Sequence, residues 1–197
     1  MTLLALIRHG PTSWNRDKRN QGRTDIPLDA EGRAAVTRWR LPAELAGARV
    51  LASPLARAVE TALLLAGHPP VIEPRLIEMD WGAWEGRTTE ELRATLGPAM
   101  QANEDRGLDF QPPDGESPRD VQNRLKPWLA EIAARGEPTV AVAHNGVIRA
   151  VTALAWNWTM LGKPPVRLRR AVAHLFDLDA TGHPSVRVLN VPLEPLP

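Results

Sequence analysis

Three short apolar runs constrain this chain more than any other feature: LLALI at 3–7, RVLA at 49–52 and TVAVA at 139–143. Each is too short for a helix and stops at a polar or proline-containing turn, the pattern of a buried strand. Between them lie segments with helical spacing. The segment 30–40 follows Asp29, a residue suited to capping a helix. The segment 56–66 follows a Ser-Pro pair, with Ser53 read as its cap and Pro54 in its first turn. The segment 117–134 opens on "SPRD" and repeats Val121, Leu125, Leu129 and Ile132 at helical intervals. A fourth, 146–156, follows the third apolar run directly.

Two further strands are expected at 171–178 and 185–191, with Gly182 and His183 in the turn of a hairpin. Alternating strands and helices predict an α/β fold, a three-layer sandwich whose mostly parallel mixed sheet carries helices on both faces. A chain of 197 residues fills one core, so a single domain over 1–197 is expected. The stretch 81–115, rich in glycine, proline and acidic residues, interrupts the alternation. It reads as a small lid-like insertion over the active site.

Composition narrows the function classes. The net charge of +1 gives no basic surface of the kind nucleic-acid binders carry. The two basic clusters, "RDKR" at 16–19 and "RLRR" at 167–170, are brief and read as solvated loop charges, the first also placed to attract an anion. With no cysteine, disulfides, thiolate catalysis and cysteine metal sites are excluded. No apolar stretch reaches membrane-spanning length and no signal-peptide pattern is visible, so a cytoplasmic location with no membrane partner is expected. A homo-oligomer is compatible with the sequence.

In parallel α/β sheets, ligands collect beyond the carboxyl ends of the strands. The first run ends there in Arg8 and His9, the second leads to Arg57, and the third to His144. A lone histidine is more often an ordinary structural residue. Repetition at equivalent strand ends, with arginines beside it, changes that reading. Arginine presents a planar fork of donors that grips phosphate, and a buried cation cluster needs an anion to neutralise it. The remaining histidines, 68, 174 and 183, show no metal-ligand spacing and read as turn or strand residues.

The blocks "LIRHGPTSWN", "ASPLARAVETA", "EMDWGAWEG" and "VAHNGVIRA", in that order over residues 3 to 151, resemble the histidine phosphatase (phosphoglycerate-mutase-like) superfamily. "DGESPRDVQNRL" adds a fifth similar stretch. The resemblance implies a metal-independent phosphomonoesterase with no cofactor, acting on a small phosphorylated metabolite. It implies His9 as nucleophile forming a phosphohistidine, with Arg8, Arg57 and His144 on the phosphoryl oxygens. Asn15 and Gln21 would add hydrogen bonds to phosphate. Glu78 matches the family's proton donor, ahead of Asp80 and Glu85, which read as surface carboxylates; Trp81 and Trp84 would supply either apolar surface near that acid or plain packing.

Two departures from the family pattern stand out. Asn145 sits between His144 and Gly146, where many relatives have glycine directly, so Asn145 is a candidate substrate contact. The segment 103–113 lacks the paired arginines of phosphoglycerate mutases, which favours a hydrolase. The similarity is greatest to the branch with α-ribazole-phosphate phosphatases and broad-specificity phosphatases. A cofactor-dependent phosphoglycerate mutase and a non-catalytic phospholigand-binding protein of the same fold are the alternatives.

Overall fold

A computed structural model describes residues 1–193, so the last four residues of the expected domain lie outside the described residues. The strands are β1 (Thr2–Arg8), β2 (Arg49–Ala52), β3 (Val71–Ile72), β4 (Thr139–Ala143), β5 (Val172–Leu178) and β6 (Pro184–Pro192). The helices are α1 (Ser13–Arg16), α2 (Ala30–Val36), α3 (Ala56–Ala66), α4 (Thr89–Leu96), α5 (Pro98–Glu104), α6 (Pro118–Arg135) and α7 (Asn145–Trp156). One sheet takes the order β3-β2-β4-β1-β5-β6. β1 and β2 flank β4 in parallel, β3 lies parallel beside β2, and β5 pairs antiparallel with β1 and β6.

β4 is buried along its whole length, which is why its sequence is a continuous apolar run. Side chains of β1 alternate between two cores. Leu4 and Leu6 join Val121, Leu125 and Trp128 of α6 and Val147 and Val151 of α7. Ala5 and Ile7 join Val36 of α2 and Ala58 and Ala62 of α3. The three layers are therefore built by the period-two alternation of a strand against helices on each side. Among the described residues no helix is long and apolar enough to cross a membrane.

Register places the site. Arg8 lies opposite Ala143 and Ala52 opposite Val142, so β1, β2 and β4 end together. The next residues continue the ladder: the His9 amide donates to the Ala143 carbonyl and the Ser53 amide to the Val142 carbonyl, each at 3.0 Å.

Two local expectations differ from the structure, and one strand was not expected. The helix expected over 30–40 ends at Val36, and the Arg40 amide bonds the Leu193 carbonyl instead of extending it. Ser53 does not cap α3, whose N-cap is Leu55 with no side-chain cap bond. The two-residue edge strand β3 has no apolar run long enough to announce it.

The 81–115 stretch holds two helices that the sequence reading did not assign. A reciprocal Thr88–Glu91 capping box starts α4. Gly97, at φ +52°, turns the chain between α4 and α5 where a side chain would be strained. Trp84, Leu92 and Met100 form a small core of their own, with Phe110 in contact with the rings of Trp81 and Trp84 at 5.9 and 5.8 Å between centroids.

A separate core predicts separable stability. Leu92→Ala should cost about 2–3 kcal/mol locally and strip hydrogen-exchange protection from α4 and α5 while α6 and β4 stay protected. An equal loss of protection across the whole sheet would contradict that independence.

Candidate active site

A cleft of about 720 Å³ opens at the common end of β1 and β4, with Arg8, His9, Glu78 and Asn145 on its walls. His9 is buried, and its Nδ1 lies 2.7 Å from the Gly10 carbonyl. A carbonyl only accepts, so Nδ1 carries the proton and Nε2 keeps its lone pair. Burial, then the fields of Arg8 and Arg57, hold the ring well below the ordinary imidazole range, hence neutral. The Gly10 amide donates to Thr61 Oγ1 at 2.9 Å, and that hydroxyl donates to the Arg57 carbonyl, so α3 fixes the loop that follows His9.

The His144 ring stands 5.2 Å from that of His9, centroid to centroid. Its Nε2 lies 2.7 Å from Ser53 Oγ. Among the described residues its buried Nδ1 has no partner. Burial, then His9 and the arginines, also keep His144 neutral. Arg57 is fully buried, donating to the carbonyls of Gly22 (2.7 Å) and Thr24 (3.0 Å), while its Nε has no partner among the described residues. Neither Arg57 nor His144 is on the cleft wall; both lie in the buried cluster around His9. Arg8 is on the wall, and burial together with Arg170 draws its guanidinium down to about 10.

Glu78 is buried and accepts amide bonds from Met79 (2.8 Å) and Gly146 (3.1 Å). Burial raises its carboxyl above the usual range, against the opposing pull of those amides and of Arg57 and Arg8. A Cβ at position 146 would sit 2.4 Å from Glu78 Oε1, so glycine is required for this approach. The Asn-Gly order after His144 thus puts glycine where the acid packs and leaves Asn145 exposed on the cleft wall.

Asn15 and Gln21 also line the cleft and are tied to each other at 3.3 Å, with Asn15 Oδ1 accepting the Thr12 amide. Asp80 and Glu85 do not line it. Asp80 pairs with Arg23 at 3.3 Å. Glu85 accepts from the amides of Arg23 and Thr24 and from the Thr24 hydroxyl, holding the loop whose carbonyls grip Arg57. Trp81 lines the cleft, while Trp84 packs in the insertion core. His174 is buried on β5, and burial lowers it to about 4.

Two site residues escaped the sequence reading. Asn20 lines the cleft with its Nδ2 buried and unpartnered, and nothing in its spacing marks it. Ser53 occupies at β2 the strand-end position that His9 and His144 occupy at β1 and β4, which was the available signal. The arrangement joins a neutral nucleophilic ring nitrogen, guanidinium groups, unpartnered polar nitrogens and a carboxyl raised toward its protonated form. That combination suits attack on an anionic electrophile.

A family model described as histidine phosphatase superfamily (branch 1) matches residues 4–191. A glucosyl-3-phosphoglycerate phosphatase of Mycolicibacterium vanbaalenii is 35% identical over 177 residues, 81% of this chain and 78% of that one. A probable phosphoglycerate mutase GpmB of Enterobacter sp. is 31% identical over 183 residues, 86% and 80% of the two chains. Among solved structures, Bacillus stearothermophilus YhfR superposes with a TM-score of 0.80 at 31% identity over 95% of this chain and 96% of that one. A mycobacterial glucosyl-3-phosphoglycerate phosphatase complexed with VO3 gives 0.76 at 30% identity, covering 99% and 100%.

The protonation states are open to direct measurement. Imidazole ¹⁵N spectra should show His9 and His144 still neutral at a pH where an ordinary imidazole is mostly protonated, with His9 as the Nδ1–H tautomer. Titration of either ring near 6.5 would contradict the electrostatic picture.

Proposed function

The chain belongs to the histidine phosphatase superfamily and is a phosphatase, and on that footing we propose that it hydrolyses a small phosphorylated metabolite through a phosphohistidine on His9. The observation that carries this reading is the set of unpartnered buried nitrogens, Arg57 Nε and His144 Nδ1, around an imidazole whose Nε2 is free. Each unsatisfied buried polar group costs about 1–3 kcal/mol. A phosphoryl group, all acceptors, would satisfy them.

In the first step His9 Nε2 bonds to phosphorus and the ester P–O bond breaks. Arg8, Arg57 and His144 stabilise the charge on the non-bridging oxygens. His144 acts as donor from Nδ1 when the Ser53 hydroxyl donates to Nε2, so Ser53 sets that tautomer. Glu78 gives its proton to the departing oxygen. In the second step water attacks phosphorus, Glu78 takes the water proton, the N–P bond breaks, and phosphate leaves. Asn15 and Gln21 position the phosphoryl group, Asn145 contacts the substrate, and the 81–115 insertion serves as the cleft's lid.

Hydrolysis is favoured over transfer between hydroxyls because 103–113 lacks paired arginines, and the one cleft-lining arginine of α4, Arg93, is engaged by Glu104 at 2.7 Å. The similarity to GpmB keeps transfer as the competing outcome to be measured.

Incubation with a ³²P-labelled alkyl phosphate and an alkaline quench should leave label on His9, absent in His9→Ala. Glu78→Gln should lower turnover of the alkyl ester by about 10²- to 10⁴-fold. Unimpaired phosphate release by His9→Ala would overturn the route, and label passing to a second hydroxyl faster than to water would make the enzyme a mutase.

A further inference from the structure

Residues 138–176 contain five cations, Arg149, Lys163, Arg167, Arg169 and Arg170, and no acidic residue, in a chain of net charge +1. This segment supplies α7 and the loop after it, so one side of the cleft is built from a strongly one-signed piece of chain. Arg149 is the member that faces inward. It lines the main cleft, and it also lines a side pocket of about 110 Å³ shared with Asn145, Thr152, Trp158 and Arg167. The two spaces share Asn145 and Arg149 in their walls.

Arg149 is half-buried, and its guanidinium lies 5.3 Å from the centre of the Trp158 ring. That cation–π contact holds the guanidinium without using its N–H groups. Among the described residues no carboxylate lies within ion-pair distance of it, and burial alone lowers its pKa. Of the other arginines of the main cleft, Arg8 stands beside His9 and serves the phosphoryl group in the proposed reaction, and the remaining two are engaged. Arg93 is held by Glu104, and Arg19 donates to the Gly86 carbonyl at 2.6 Å. Arg167 sits in a loop that is pinned rather than loose: Asn190 donates to the Arg167 carbonyl at 3.1 Å and accepts the Arg169 amide at 2.8 Å.

A desolvated guanidinium with free donors is a site for an oxyanion, and two cations bordering one small pocket reinforce that preference. It lies along the same cleft as His9, on two arginines that the hydrolytic steps do not use, beside the substrate contact Asn145. We propose that Arg149 and Arg167, with Asn145, form a second anion subsite, so that the preferred substrates are phosphate esters bearing a further anionic group. The substrate class rests on the hydrolase reading above, whereas the subsite itself can be read by binding alone.

The further group is a carboxylate or a second phosphate, which share this guanidinium chemistry and are separated by the test. Calorimetry would compare non-hydrolysable alkylphosphonates, over a series of linker lengths, with ω-carboxy-alkylphosphonates in one arm and alkyl bisphosphonates in the other. The wild type should bind the doubly anionic member of at least one arm about tenfold more tightly at its best length. Arg149→Gln should collapse that preference to within about threefold, and Arg149→Lys, which keeps the charge, should recover part of it. Arg167→Gln should weaken the preference by a smaller factor, giving a second variant if Arg149→Gln melts early. Equal affinities in the wild type at every length, or a preference that survives Arg149→Gln, would overturn the subsite. Failure of the hydrolase reading shows separately, as absence of label on His9, and leaves the binding result to stand or fall alone.

Discussion

Parallel pairing of β1, β4 and β2 brings three strands to a common end, and the site depends on which residue follows each of them. His9, His144 and Ser53 are those residues, and the ladder hydrogen bonds at 3.0 Å that continue into His9 and Ser53 leave them little freedom. Rigid backbone at a strand terminus fixes where a side chain starts. The contacts with Gly10, Thr61 and Glu85 then fix where the rings and guanidinium groups finish. Strand register and site geometry are one constraint in this molecule.

Burial acts on the site in two chemically useful directions. Removing water penalises whichever form is charged, so it pushes both imidazoles toward neutrality and Glu78 toward its protonated form. A neutral His9 retains its lone pair, and a raised carboxyl retains a proton to give. The arginines, which stay charged, add to the first effect and oppose the second. In the proposed reaction these states are what the nucleophile and the acid require. The same desolvation leaves Arg57 Nε and His144 Nδ1 unsatisfied, a strain that an anion between them would relieve.

The layered fold was legible because its signals are local: apolar runs too short for helices, a capping residue such as Asp29, and helical repeats such as Val121, Leu125 and Leu129. His9, Arg8 and His144 were legible because strand ends announce themselves. Glu78 was reached through resemblance, since no spacing distinguishes it from Asp80 or Glu85; its burial against Gly146 is a long-range contact. Ser53 was misassigned because a serine before proline reads locally as a cap, while its partner His144 is 91 positions away. Helices α4 and α5 were hidden because their core is small and their composition loop-like. Nothing in the spacing of Arg149 marks it, and only the fold shows that it is partly buried with no carboxylate paired to it among the described residues.

In the proposed reaction a phosphoryl group completes the buried polar cluster around His9. A crystal structure with orthovanadate tests it most directly. Vanadium is expected in line with His9 Nε2, with its equatorial oxygens within hydrogen-bond distance of Arg8, of Arg57 Nε and of His144 Nδ1. Vanadate bound elsewhere in the cleft, with those two buried nitrogens still unpartnered, would contradict it.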